Sequence, residues 1–199
     1  MSRSPLAVAL VAVLALAGCS STPFGDAGRI HYVRVESGYS RSDFAYGAAG
    51  RDMTTEILGN PFPGVSQAVF DQAVTDAMQG AHFGQPTHFT TTPDDTARPV
   101  YRVRMLWNGP LSANGARLCE SAPENAPYEG GGPDPDGQTR LVAAFCRSDR
   151  PATYLVGSIG GVTSTDDPRF VSFVRQVTTQ LFPPRDGTFE PGECNWQTC

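Results

Sequence analysis

Between Val100 and Trp107 the side chains repeat every second residue, a period that an extended strand satisfies and a helix does not. Tyr101, Val103, Met105 and Trp107 fall on one face, and Arg102 and Arg104 on the other. Such a pattern calls for a sheet with one face in a core and the other turned to water. An isolated strand is not stable, so neighbouring segments must supply its partners. Residues 139–147 and 152–158 are strand-like, and Ser148-Asp149-Arg150-Pro151 between them predicts an antiparallel hairpin. Residues 30–36 form another strand, with Ile30, Tyr32 and Arg34 on one face and His31, Val33 and Val35 on the other. Residues 53–58 are a short strand, and residues 37–52 read as loop.

Two helices complete the pattern. The break Gly59-Asn60-Pro61-Phe62-Pro63-Gly64 precedes a stripe of Ser66, Phe70, Ala73, Val74, Ala77 and Ala81, widened by Val69 and Met78. Gly80 is placed to end that helix. The second helix has Asp167 as N-cap and Pro168 in its first turn, and Phe170, Val174, Val177 and Leu181 recur at helical spacing before Pro183-Pro184 stops it. The order predicts an α+β fold: an antiparallel sheet of about four to five strands, two helices packed on one face, and long disulfide-stapled loops. The longest irregular stretch is 108–137.

The first residues set a different constraint. After Arg3, an apolar run from Leu6 to Ala17 has the length of a signal-peptide core and falls short of the roughly 20 residues that span a bilayer. It runs into Leu16-Ala17-Gly18-Cys19, which resembles the lipobox of bacterial lipoproteins. That resemblance implies a cut before Cys19, acylation of its thiol (palmitate among the chains), and anchoring by two or three acyl chains. Ser20 in the next position implies delivery to the outer membrane, with the domain facing the periplasm. The implied division is a signal peptide at 1–18, an acylated tether at 19–28 and a single α+β domain at 29–199. In layout the chain is also similar to small α/β envelope lipoproteins, a likeness that carries over no site residues.

Setting Cys19 aside leaves Cys119, Cys146, Cys194 and Cys199, an even number in an exported chain. Four cysteines allow three pairings; Cys119–Cys146 and Cys194–Cys199 each close a loop within one region. The first would contribute roughly 3 kcal/mol. The spacings are too wide for a zinc cluster, and no histidine lies near any of them in sequence.

Candidates for chemistry are sparse. The fifteen basic residues are all arginine, which excludes a lysine Schiff base and a P-loop lysine. A net charge of −5 argues against broad charge-driven binding to nucleic acid. His82 and His88 are separated by Gly84 and Pro86, so no helix sets them on one face, and His31 stands apart. Ser158 follows Val156-Gly157, whereas a nucleophile elbow needs glycine two residues before the serine. Glu129, Asp134 and Asp136 lack the further carboxylates of a calcium loop. No catalytic, cofactor-binding or metal-binding residue is therefore assigned, and no cofactor is expected. Arg102, Arg104 and Trp107 are the candidate partner-binding residues, because arginine and aromatic side chains mark interfaces. The expectation is a non-enzymatic binding or accessory role in the cell envelope, with the membrane met through the lipid anchor, an envelope protein as partner, and no nucleic acid. The alternatives are a hydrolase of an envelope polymer and a small-ligand or glycan-binding module.

Overall fold

The structure is a computed structural model in which residues 28–120, 128–132 and 134–185 are described. Cys19, Cys194 and Cys199 lie outside these residues. The chain runs β1 (Arg29–Val35), α1 (Arg41–Ala48), β2 (Asp52–Leu58), α2 (Gln67–Met78), β3 (His88–Thr90), β4 (Tyr101–Trp107), β5 (Gln138–Arg147), β6 (Arg150–Gly160) and α3 (Pro168–Leu181), with a 3-10 turn at Gly115–Arg117. The strands form one sheet in the order β1-β6-β5-β4-β2-β3.

The α+β class expected from the pattern is present, with more elements than predicted. The sheet has six strands and is mixed: β2 lies parallel to both β3 and β4, and the other pairings are antiparallel. There are three helices among the described residues. The extra one, α1, falls in the stretch read as loop; Ser40 caps it, accepting from the backbone N–H groups of Ser42 and Asp43. Only Phe44, Gly47 and Ala48 are buried along it, so its apolar stripe is too narrow to stand out. Gly47 lies against the Tyr101 ring, where an added Cβ would come within 2.8 Å of ring carbon.

The alternation in β4 is realised. Tyr101, Val103, Met105 and Trp107 join the main core with Phe70 and Val74 of α2 and Phe170, Phe173, Val174, Val177 and Leu181 of α3. Phe44 of α1 joins the same core, so all three helices contribute to one side of the sheet. Trp107 is fully buried, with ring centroids 5.4 Å from Phe70 and 5.6 Å from Phe170. In α2 Ser66 is the N-cap rather than part of the stripe, and Val69 faces solvent. Asp167 caps α3 as its sequence signature predicts, accepting from the Arg169 N–H at 2.9 Å.

Two irregularities shape the sheet. An offset between Ile30 and Tyr32 shifts the parity of β1, so Ile30 packs on the main core with Val35 and does not share a face with Tyr32 and Arg34. A second offset, where Cys146 faces Pro151 while Phe145 faces Thr153, leaves Ala152 as the extra residue of β6. The hairpin turn is therefore Ser148-Asp149, with Arg150 and Pro151 already in the strand. Among the described residues no helix is long and apolar enough to cross a membrane.

Candidate functional site

The sheet face turned away from the helices carries the arginines picked out by sequence. It holds a second, smaller core of Leu106, Leu118, Cys119, Val142, Ala144 and Cys146. The chain around the 3-10 turn lies over it, joined to β5 by the Cys119–Cys146 disulfide, whose Cα atoms are 5.5 Å apart. Below this cover, Glu56 of β2 stands opposite Arg104 of β4 and meets its Nε. Arg104 also donates from Nη1 to the carbonyls of Leu118 (3.0 Å) and Glu120 (2.9 Å), and is only 5% exposed. Arg102 donates to the Cys119 carbonyl at 2.9 Å and lies 3.4 Å from Glu56 Oε1. Burial, and then the Arg104 charge, push the Arg102 guanidinium below its ordinary value.

Arg102 and Arg104 are thus together but engaged inward, holding the covering segment, while Trp107 is sealed on the opposite face. The structure does not gather the three residues into one surface. Alternation placed both arginines on the second face; it carried no sign that another part of the chain covers that face.

An open, donor-rich site lies instead at the end of the sheet, where β5 turns into β6. Ser148 takes φ 55°, the left-handed region that glycine occupies most readily in two-residue hairpin turns. Arg147 and Arg150 flank the turn and are direct partners in the ladder. Like charges placed so destabilise a strand pair. Arg147 is drawn off by Asp43 of α1, 2.7 Å away, whereas the Arg150 side chain has no hydrogen-bond or ion-pair partner among the described residues. A cleft of about 420 Å³ opens beside them, lined also by Glu36, Ser37, Gly38 and Ala116. The extra residue of β6 sets its rim: the Ala152 carbonyl accepts from the Glu36 N–H at 2.9 Å, and the Tyr39 N–H closes the following turn onto the Glu36 carbonyl. Arg34 lies 3.3 Å from the Glu36 carboxylate. Sequence reasoning passed over Arg147 and Arg150; the visible signal was two arginines flanking a two-residue turn.

The histidines and Ser158 fall into separate places. His31 Nε2 and Ser158 Oγ are 2.7 Å apart on the neighbouring strands β1 and β6. His88 Nδ1 is 2.8 Å from Asp52 Oδ1 at the opposite edge of the sheet. The Asp94 N–H binds the other Asp52 oxygen at 2.9 Å; this bond and that from His88 hold the Asp52 carboxyl below its ordinary value. With strands about 4.8 Å apart, five steps across the sheet separate β1 from β3 by roughly 24 Å, so the serine–histidine and histidine–aspartate pairs do not combine into a triad. His82 Nε2–H donates to the Gln85 carbonyl (2.9 Å), and the ring packs edge-on against Phe44 and Phe89. Asp134 pairs with Arg140 at 3.1 Å, and among the described residues no three metal-ligating side chains cluster.

No family model, no curated protein and no solved structure matches the chain.

Proposed function

We propose that this chain is a cell-envelope lipoprotein with a non-enzymatic binding or accessory role, held to the outer membrane by acylated Cys19 and working in the periplasm. The observation that carries the binding role is the cleft at the β5–β6 turn, where an uncommitted arginine and the turn at Ser37-Gly38 border open space. The Cys119–Cys146 bond supports the location, since disulfides persist in oxidising compartments. Cys194 and Cys199 are proposed as a second bridge, closing a short loop near the end of the chain. The size of the cleft favours, as second reading, a module for a small ligand rather than for a protein.

Two experiments test this. Cys19→Ala is expected to abolish acylation and release the protein from membranes; retention after a high-salt wash would refute the anchor. Photocross-linking in cells from position 37 is expected to capture one envelope component reproducibly, while a cross-linker at position 111, on exposed Leu111, does not. Equal capture from both positions would remove the cleft from the binding role.

A further inference from the structure

We infer that the cleft beside the β5–β6 turn is an oxyanion site, taking a phosphate or carboxylate group on Arg150 with Arg147 behind it. This deepens the binding role proposed above and rests on it. Three separate features converge there. The first is the charge balance of the lining. Glu36 is matched by Arg34, and Arg147 by Asp43, which leaves Arg150 as the unmatched charge, so the site calls for one negative group. The second is the ladder itself. Arg147 and Arg150 face each other directly across two strands, and Asp43 offsets this like-charge pairing on the Arg147 side alone. The third is the backbone. Ser148 keeps a left-handed conformation that its side chain disfavours, and such strain is concentrated at sites of function.

The chemistry of the donors fits the same ligand. A guanidinium presents a planar fork of N–H groups that matches two oxygens of a phosphate or carboxylate. The Ser37 hydroxyl and the Ser37 and Gly38 N–H groups, in the turn that borders the cleft, have no partner among the described residues and add neutral donors. Ala116, Pro151 and Ala152 give the rest of the lining an apolar character, so the oxyanion would be the head of a larger molecule. At about 420 Å³ the cleft is within the range of small-molecule sites.

The oxyanion is assigned to a soluble or partner-borne ligand. A headgroup of the membrane offers the same chemistry, and the vesicle arm of the test separates the two sources.

The test uses the full chain in neutral detergent micelles at low ionic strength, titrated calorimetrically with inorganic phosphate and, separately, with acetate. Saturable binding of at least one is expected, weakened about tenfold or more by Arg150→Ala and partly retained by Arg150→Lys. Arg150 is exposed at the surface, so both variants are expected to fold, which circular dichroism checks. Absence of binding to both probes, or equal binding by Arg150→Ala, would overturn the assignment. A second arm uses phosphatidylcholine vesicles with and without phosphatidylglycerol. Arg150-dependent binding to the anionic vesicles, with none to the free anions, would overturn the soluble source. Failure here alongside successful cross-linking from position 37 would remove the oxyanion and leave the binding role standing.

Discussion

Arg104 and Glu56 face each other on the parallel strands β4 and β2, and their ion pair lies beneath the chain at Leu118–Glu120. Removing one member of a buried pair strands the other, which costs about 3–5 kcal/mol. Arg104→Met is expected to lower stability by about 3 kcal/mol, since Glu56 keeps some solvent and two carbonyls lose their donor. Glu56→Gln leaves Arg104, the more buried partner, and Arg102 beside it without their counter-charge, and should also cost about 3 kcal/mol. Urea unfolding of the two variants checks both values.

The same covering segment is held covalently. Cys119 and Cys146 are 27 residues apart, and closing a loop of that length contributes about 3 kcal/mol through the unfolded chain. Reduction, or the double change Cys119→Ala and Cys146→Ala, should lower the urea midpoint accordingly. It should also expose amides of 113–120 to hydrogen exchange before those of β4.

Acid should loosen the far edge of the sheet. Asp52 is held below its ordinary carboxyl range by the Asp94 N–H and by His88. A lowered folded-state value means its contribution is complete above about pH 4, the unfolded value, and is lost as pH falls through the folded one. Asp52→Asn is therefore expected to flatten the dependence of stability on pH below about 4. Equilibrium unfolding at a series of pH values reads this directly.

At the hairpin, Ser148→Gly should raise stability by about 0.5–1 kcal/mol, since glycine takes a positive φ without the steric cost. The thermal midpoint measures it.

How far the sequence disclosed this fold varies by element. β4 and α3 were legible because Tyr101, Val103, Met105 and Trp107, and Phe170, Val174, Val177 and Leu181, bury against one continuous core, so burial imprints its period on the chain. α1 was not, because a Ser40 cap and two small buried residues hold it with little apolar periodicity. β3 is three residues long, and its parallel partner β2 is separated from it by a whole helix, a pairing that local pattern cannot express. The disulfide Cys119–Cys146 was legible as a bond, but its effect was not: by drawing Leu118 onto the second face it turns Arg102 and Arg104 from surface groups into supports. Likewise residues 108–137 read as an irregular stretch, whereas Gly130 crosses Gly59 so closely that a Cβ on it would come within 2.2 Å of the Gly59 nitrogen. The hairpin cleft depends on a residue inserted in β6, and insertions of that kind leave no period at all.

The sheet order carries a kinetic consequence. β1, near the start of the chain, is bonded to β6, and His31 meets Ser158 across 127 positions. Contacts of such range cost loop-closure entropy before they return any stability, and they slow folding. The first strand has no edge to join until the β5–β6 hairpin has been made. A nascent or shortened chain ending before β6 would keep Arg29–Val35 unpaired and the sheet open, so the polypeptide stays threadable until its closing strands arrive.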